Sequence, residues 1–371
     1  MVNVSGGAKL LRRAGVTFAP MPAAEATTLT DVRSLSLDQL TSDLILAGEK
    51  KFRAKQVYEW LWQRGARSFD EMTNLSLDLR ERLKQRYRLP VITLDQSQHS
   101  NDGTIKSRFR LHDGHLIESV LIPVVADDRY TVCVSSQVGC SLTCSFCATG
   151  RMKRMRNLTG AEIYDQVFLV NQQCLAAYGK PLTNIVYMGM GEPLLAFNAV
   201  LDSIDRITSH TGLHMAPRRL TVSTAGIAKM IRKLADADTK VNLALSLHAA
   251  DDAKRNEIMP INETNNLEVL IESLEYFYAK TKKRIGFEYI AFQDFNDTPE
   301  DAENLYRICR RVPSMVNIIE YNPIDNAPFR KSTEHRIDGF ATYLRDRGVM
   351  VTVRRSRGKD IDAACGQLAN K

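Results

Sequence analysis

The chain has 371 residues, of which 44% are hydrophobic and 25% charged, so it is long enough for one large globular domain and a second small one. No apolar run reaches the ~18–20 residues that cross a bilayer, and an odd count of seven cysteines excludes a secreted disulfide framework. The net charge of +7 fits a polyanionic partner without being specific for one. Reduced thiols predict a cytoplasmic protein with no membrane association.

The first 90 residues are predicted to comprise a flexible extension, residues 1–37, and a small helical accessory domain, residues 38–90. The extension is rich in Ala, Gly, Thr and Pro without periodicity. Its acid-free beginning leaves an organelle transit peptide as an alternative to a disordered tail. In the helical domain, Val57, Trp60 and Leu61 follow helical spacing. We expect its aromatic residues to pack in a core rather than to stack on RNA.

Residues 91–125 are predicted to form a short β extension, because Asn101-Asp-Gly103 and His112-Asp-Gly-His115 are typical of hairpin turns. From residue 126 to 360 strand and helix patterns alternate, which predicts βα units and a parallel sheet. The predicted strands are Tyr130–Ser136, Asn184–Met188, Arg219–Ser223, Val241–Leu247, Phe287–Phe292 and Asn317–Tyr321. Ligand sites of such sheets lie at the carboxyl ends of the strands.

Cys140, Cys144 and Cys147 form a C-x₃-C-x₂-C motif directly after the first of these strands. Three thiolates at this spacing can bind three irons of a [4Fe–4S] cluster, and they leave the fourth iron without a protein ligand. Structural clusters and structural zinc sites usually have four protein ligands, so three ligands indicate a reactive site. The alternatives are a zinc site with His112 or His115 as the fourth ligand, and three unrelated thiols.

A second motif, Met188-Gly-Met-Gly-Glu-Pro193, follows the second predicted strand. Gly189 and Gly191 allow the backbone to approach a ligand closely, and Glu192 offers an acceptor for an ammonium group. The motif is weak evidence on its own, because glycines are common in turns.

These motifs, taken in order, resemble the radical S-adenosylmethionine (SAM) superfamily and, within it, the RlmN/Cfr family of rRNA adenine methyltransferases. The resemblance covers about residues 38–368. The motifs that carry it, besides the three cysteines, are Cys133-Val-Ser-Ser-Gln-Val-Gly-Cys140, Met188–Pro193, Ser246-Leu-His248 and Asp360-Ile-Asp-Ala-Ala-Cys-Gly-Gln367. The resemblance implies an α/β fold, a partial open (β/α)₆ barrel with a small N-terminal helical domain and a short β extension. Residues 126–360 form the core and residues 361–371 a C-terminal segment with a catalytic cysteine.

The resemblance also implies the cofactors and the residues that bind them. The cofactors are a [4Fe–4S] cluster on the three cysteines and SAM, with two SAM molecules used per turnover. The SAM pocket is expected at Gly191, Glu192, Ser223, Ser246, Leu247, His248 and Asn322. The family's catalytic cysteine pair matches Cys133 and Cys365.

In the implied reaction one SAM methylates Cys365, and a radical from a second SAM removes a hydrogen atom from that methyl group. The resulting methylene joins the adenine carbon. Cys133 then attacks the Cys365 sulfur, releases the base and leaves a disulfide that an external reductant resets. Glu118 resembles the family's general base, although its separation from Cys133 is longer than expected. A solvent-facing strand glutamate is the alternative.

The expected partners are 23S rRNA, certain tRNAs at adenosine 37, and a flavodoxin- or ferredoxin-type electron donor, and the protein is expected to be a monomer. C2 of adenine is the expected target. The alternatives are Cfr-like methylation of C8, a radical SAM enzyme with a non-RNA substrate, and a non-catalytic RNA-binding or redox-sensing protein. Three basic groups favour a phosphate-rich partner: Lys50, Lys51, Arg53 and Lys55; Arg151, Lys153, Arg154 and Arg156; and Arg354, Arg355, Arg357 and Lys359.

Overall fold

The structure, a computed structural model, describes residues 1–2 and 29–370. The prediction of a flexible extension over residues 1–37 therefore lies mostly outside the described residues. The part that is described corrects its boundary, because Val32 and Arg33 are buried and belong to the helical module. That module comprises β1 (Thr30–Asp31), α1 (Leu37–Leu46), α2 (Lys51–Trp62), α3 (Leu77–Arg86) and β2 (Tyr87–Arg88).

The helical module packs against the rest of the chain through a buried aromatic and a buried ion pair. Trp62 is fully buried and meets the ring of Tyr164 edge-on at a centroid distance of 5.1 Å. The Tyr164 hydroxyl donates to the Trp62 carbonyl at 2.7 Å. Arg33 forms an ion pair with Asp165 at 2.7 Å, and both side chains are almost completely buried. The module is thus fixed to the core by contacts that would be costly to break.

A single ten-stranded sheet forms the centre of the molecule, in the order β14-β13-β12-β11-β10-β9-β6-β5-β4-β3. Its strands are β3 (Thr93–His99), β4 (Ile105–Arg110), β5 (Leu116–Val124), β6 (Arg129–Cys133), β9 (Asn184–Tyr187), β10 (Leu220–Thr224), β11 (Asn242–Ser246), β12 (Ile285–Ala291), β13 (Ser314–Glu320) and β14 (Met350–Arg354). β6 and β9 to β14 run parallel, whereas β3 to β5 pair antiparallel. A separate short pair is formed by β7 (Gln137–Val138) and β8 (Arg156–Asn157).

Helices connect the parallel strands. They are α4 (Gly160–Tyr178), α5 (Phe197–Thr208), α6 (Ala228–Asp236), α7 (Asp252–Ile258), α8 (Leu267–Thr281), α9 (Pro299–Arg311) and α10 (Glu334–Arg345). Several of these helices begin with residues that are typical of helix N-termini. Thr159 and Glu162 form a capping box at α4, and Thr298 caps α9 with Pro299 in the first turn.

The α/β class and the partial, open barrel are confirmed. Among the described strands no pairing joins β14 to β3, so the sheet stays open. All six predicted strands exist, and β14 adds a seventh parallel strand at the edge. Within residues 1–2 and 29–370, none of the helices combines the length and the apolar composition that spanning a membrane requires.

The segment after β14, residues 358–370, is here named the strap. β14 forms one edge of the sheet and β3 the other. The strap leaves β14 and bonds to residues of the β3–β5 extension, for example through the Gly358 amide to Asp102 at 2.9 Å. It therefore links the two edges of the open sheet, and it carries Cys365 between them.

Candidate active site

One cavity at the carboxyl ends of the strands collects most of the predicted site residues. Its empty volume, including the solvent-open mouth, is about 870 Å³. The predicted residues that line it are Cys140, Cys144, Cys147, Gly191, Glu192, Ser223, Ser246, His248 and Cys365. A cavity of this size at this end of a parallel sheet is typical of a ligand-binding site.

The loop after β6 carries the three cysteines of the predicted cluster site. The Cys147 amide donates to the Cys144 carbonyl at 3.2 Å, and the Ser145 amide donates to the Ile258 carbonyl at the end of α7 at 3.1 Å. Burial raises the pKa of all three thiols, so their thiolates need a positive partner. Bound iron supplies that charge. The donor set and its partly buried position thus fit a cluster.

The zinc alternative is not supported by this geometry. His112 lies 3.4 Å from the Glu162 carboxylate and His115 lies 3.4 Å from Asp113, and neither histidine lines the cavity. Among residues 29–370 no group of three or more His, Cys, Asp or Glu side chains is arranged to hold a single metal ion. A zinc site needs four ligands around one ion, whereas a cluster distributes its thiolates over several irons.

Glu192 is placed to receive a cation. Its side chain is buried, Oε1 accepts from the Leu194 amide at 3.0 Å, and Oε2 accepts from the Ala225 amide at 2.8 Å. These two bonds fix the carboxylate and leave each oxygen with a further lone pair. Burial raises the pKa of Glu192, although its bonds to the Ala225 and Leu194 amides oppose the shift. A bound ammonium group would compensate the charge of the carboxylate.

Gly191 is required at its position by close packing. Its φ is +92°, and a Cβ there would lie 2.4 Å from Cβ of Gln137. The Gln137 side chain in turn accepts from the Glu192 amide at 2.8 Å. The glycine therefore lets the backbone pass close to Gln137 and present Glu192 to the cavity.

His248 is a neutral histidine on the cavity wall. Its Nδ1 accepts from the Ile290 amide at 3.1 Å, so the neutral ring carries its proton on Nε2. Burial, and then the charge of Arg255, lower the pKa of His248 to about 3. Phe146 from the cysteine loop meets the imidazole edge-on at a centroid distance of 4.9 Å. Ser223 and Ser246 complete this wall, with their hydroxyls 3.3 Å apart.

Two predicted pocket residues take other positions. The Leu247 side chain belongs to the hydrophobic core and does not line the cavity. Asn322 does not line it either, and its amide nitrogen lies 3.4 Å from the carbonyl of Cys365. Leu247 thus acts through packing, and Asn322 contacts the segment that carries Cys365.

Arg255 is a residue of the site that the sequence did not indicate. It is fully buried in α7 and donates to the carbonyls of Ala225, Ser246 and Leu247 at distances from 2.5 to 3.3 Å. A fourth bond joins it to Asn262 Oδ1 at 2.6 Å. The guanidinium therefore connects the loops that follow β10 and β11. Burial lowers the pKa of Arg255 to about 10, while the nearby Cys144 thiolate opposes that shift.

Cys133 and Cys365 are free thiols close enough to influence each other electrostatically, and Cys365 lines the cavity whereas Cys133 does not. Cys133 is buried at the end of β6, and Cys365 is half-buried in the strap. Burial, and then the proximity of Cys365, raise the pKa of Cys133 to about 12. Arg354 lies near both thiols and 3.5 Å from Glu288, and the Cys365 thiolate raises the pKa of that arginine. A single cation thus faces the cysteine pair.

Glu118 is not solvent-facing, which excludes the simplest alternative for it. It is fully buried in β5, 3.7 Å from the Lys106 ammonium group. Its Oε2 accepts from the amides of Ala369 and Asn370 at 2.9 and 3.1 Å. Its Oε1 has no hydrogen-bond partner among the described residues. Glu118 therefore holds the end of the strap with Oε2, while Oε1 makes no hydrogen bond and faces the Lys106 ammonium group.

The three basic groups differ in their availability. Lys50, Lys51 and Lys55 on and beside α2 are exposed and form no ion pair within residues 29–370. Arg156 instead binds Glu162 through two nitrogens at 2.8 Å, and its position is structural. Much of the third group is also paired, as the bond of Lys359 to Glu320 at 2.5 Å shows. Arg156 and Lys359 are thus paired with acidic side chains of this chain, whereas the lysines around α2 have no such partner in the described part of it.

Family models and known relatives match most of this chain. Residues 30–89 match the family described as the ribosomal RNA large subunit methyltransferase N-terminal domain, and residues 134–308 match the radical SAM superfamily. The probable dual-specificity RNA methyltransferase RlmN of Cytophaga hutchinsonii is 58% identical over 92% of this chain and 93% of its own length. The dual-specificity RNA methyltransferase RlmN of Geobacter sulfurreducens is 43% identical, over 93% of each chain. The crystal structure of a radical SAM methyltransferase from Sphaerobacter thermophilus is 40% identical and covers 92% of this chain and 100% of its own, with a TM-score of 0.87. The chain therefore belongs to the RlmN family of radical SAM methyltransferases.

Proposed function

We propose that this chain methylates C2 of an adenosine in 23S rRNA, and of adenosine 37 in certain tRNAs, through a methylated cysteine. The observation that carries the proposal is that the three-cysteine loop, the Glu192 carboxylate and the Cys365 thiol line one cavity. This arrangement supports a site in which bound SAM, the source of the radical, lies beside the thiol that accepts the methyl group. The electron-poor C2 of adenine does not react with SAM as a nucleophile, so a radical route is chemically required.

The cofactors fit the residues that are present. The three cysteines would hold the cluster, and Glu192, Ser223, Ser246 and His248 would hold SAM. When bound together, these groups supply a 5′-deoxyadenosyl radical after transfer of one electron to SAM. Glu192 would bind the ammonium group of SAM, and the Nε2–H of His248 would donate a hydrogen bond into the pocket.

The chain's own residues would then perform four tasks. Cys365 accepts a methyl group from a first SAM. That group loses one hydrogen atom to the 5′-deoxyadenosyl radical, the remaining methylene radical adds to the adenine carbon, and the surplus electron of the adduct would return to the bound cluster. Glu118 accepts the proton that leaves this carbon, and its Oε1, which makes no hydrogen bond, is the atom we assign to this task. Cys133 attacks the Cys365 sulfur and releases the methylated base. Arg354 supplies a positive charge beside the pair.

The same proposal covers the partners. The exposed lysines around α2 would bind RNA phosphates, which positions the substrate without reading its sequence. A flavodoxin- or ferredoxin-type protein would supply the electron, and an external reductant would reset the cysteine pair. We propose a monomer that works in the cytoplasm, where thiols remain reduced.

The test is an anaerobic reaction of the cluster-loaded protein with SAM, reductant and unmodified 23S rRNA or tRNA. The RNA is digested and its nucleosides are identified by mass spectrometry against standards. 2-Methyladenosine is the expected product, with one S-adenosylhomocysteine and one 5′-deoxyadenosine per methyl group. 8-Methyladenosine would instead assign the chain the Cfr-like activity. Cleavage of SAM without a modified nucleoside would overturn the proposed substrate.

Three cysteine variants separate the roles in that reaction. Cys365→Ala should abolish methylation, because no thiol accepts the methyl group. Cys133→Ala should accumulate a covalent protein–RNA species, since nothing releases the base. Cys309→Ala is the matched control, because Cys309 is a half-buried thiol of α9 outside the cavity. Release of the product at the normal rate by Cys133→Ala would contradict the assigned role.

A further inference from the structure

The strap is held on the N-terminal side of Cys365 by two carboxylates, one from the strap and one from the turn that it contacts. Asp102, in the turn between β3 and β4, accepts from the Gly358 amide at 2.9 Å. Asp360, in the strap, accepts from the Ser100 hydroxyl at 2.6 Å and from the Asn101 amide at 3.1 Å. The turn and the strap thus each supply one carboxylate that accepts hydrogen bonds from the other. These two sets of bonds fix the position of the strap relative to the turn.

Both carboxylates are held in the ionised form by these contacts. Burial opposes this at Asp102, but hydrogen bonds from Thr104 and Gly358 outweigh it and lower the pKa of Asp102. The bond from Ser100 is the main reason that the pKa of Asp360 is lowered. Asp102 also accepts from the Thr104 amide at 2.9 Å, so the turn itself is rigid. Charge-assisted bonds of this kind are stronger than neutral ones.

Close packing reinforces the same contact. Gly358 has a φ of +65°, and a Cβ there would lie 2.7 Å from the Cβ of Ala363 and 2.9 Å from the side chain of Thr104. Thr104 is fully buried beneath the strap. There is no room for the strap to slide along the turn, so its register is fixed.

Cys365 lies between this contact and a second one. On its C-terminal side the Gly366 carbonyl accepts from the Ala148 amide at 2.7 Å, and the Leu368 carbonyl accepts from the Thr149 hydroxyl at 2.6 Å. These bonds tie the strap to the cysteine loop. The sulfur of Cys365 is therefore positioned from both sides. The β extension contacts the strap through Asp102 before Cys365 and through Glu118 after it.

We propose that the Ser100–Thr104 turn is a latch that positions Cys365 over the cavity, with Asp102 and Asp360 as its positioning residues. This gives the Ser100–Thr104 turn a role in the reaction, although neither latch carboxylate lines the cavity. Hydrogen transfer and carbon–carbon bond formation depend steeply on distance. If Cys365 is displaced, SAM is still cleaved, but the radical does not reach the methyl group on the sulfur. The inference rests on the proposed function.

The test compares Asp102→Ala and Asp360→Ala with Asp127→Ala, an exposed residue of the turn between β5 and β6. The functional readout is the ratio of 5′-deoxyadenosine to methylated adenosine in the cluster-loaded enzyme with SAM, reductant and RNA. We expect this ratio to rise at least fivefold in both latch variants and to stay unchanged in the control. Asp360→Asn, which keeps one acceptor oxygen, should restore part of the coupling.

The structural readout is hydrogen–deuterium exchange of peptides from the strap, which needs neither SAM nor RNA. Exchange of these amides should be about tenfold faster in both latch variants, while peptides of the barrel stay unchanged. Wild-type values of the ratio and of exchange in the two variants would overturn the latch. Parallel loss of cluster content and SAM cleavage would also overturn it, because that pattern indicates general unfolding. A wild-type enzyme that makes no methylated adenosine would overturn the proposed function, and the exchange measurement would still test the latch.

Discussion

Replacement of Arg255 by Met should destabilise the protein strongly, because four buried acceptors depend on the guanidinium. These are the carbonyls of Ala225, Ser246 and Leu247 and the Asn262 side chain, at 2.5, 3.3, 3.1 and 2.6 Å. Each buried acceptor left without a partner costs about 1–3 kcal/mol. Removal of a buried charge returns several kcal/mol of desolvation, so we expect a net loss of about 3–5 kcal/mol.

The free energy of unfolding is measured by urea denaturation under anaerobic conditions, followed by circular dichroism, with cluster content recorded in parallel. Arg255→Lys keeps the charge and three donors, so its free energy of unfolding should fall by roughly half as much as that of Arg255→Met. Arg232→Met is the matched control, because Arg232 is a half-exposed arginine 3.8 Å from Glu272 and should change the free energy by less than ~1 kcal/mol.

The outcome also bears on ligand binding. Arg255 connects the loops that carry Ser246 and Ala225, so its loss should weaken SAM binding along with stability. If the free energy of unfolding of Arg255→Met lies within ~1 kcal/mol of the wild-type value, the estimated cost of the unpaired buried acceptors is refuted. A variant that is destabilised while SAM affinity stays normal would refute the link between Arg255 and the pocket.

Three further substitutions test other parts of the structure. Asp165→Asn leaves the buried Arg33 without a counter-charge, and should cost about 3–5 kcal/mol and speed proteolysis of the helical module, as followed by gel electrophoresis. Glu192→Gln should weaken SAM binding at least tenfold by calorimetry. Burial raises the pKa of Glu192, so wild-type affinity should be full above that pKa and fall as the pH drops through it, whereas the Gln variant should lose this dependence. Gly191→Ala should lower the melting temperature more than Gly348→Ala, since both have positive φ but only the first Cβ meets a neighbour within 4 Å; equal effects would contradict this.

The order of elements was predictable from local patterns. Each predicted strand coincides with an observed one to within a few residues, because apolar runs are local signals. The short motifs lie at the carboxyl ends of strands because each of them directly follows a strand in the sequence. The placement of Gly191, Glu192 and Cys140 in one cavity follows directly from that topology.

The remaining site residues depend on contacts between distant parts of the chain. Arg255 has the pattern of a solvated charge on a short helix, and only the three carbonyls around it explain its burial. Arg156 stands in a basic run, yet it pairs with Asp113, 43 residues away. Glu118 bonds to Ala369, 251 residues away. Periodicity and composition do not report such pairings, so residue roles that depend on them were missed or misassigned.

The strap has a consequence for the order in which the molecule assembles. Its contacts with the β extension join residues 256 and 260 positions apart, and closing so long a loop in an unfolded chain costs about 5 kcal/mol. Once the sheet exists, only the few residues between Arg354 and Gly358 separate the strap from its anchoring strand. Docking of the strap should thus follow formation of the barrel during folding. The barrel would stand complete before its acceptor thiol arrives, and catalytic competence would be the last property that the folding chain acquires.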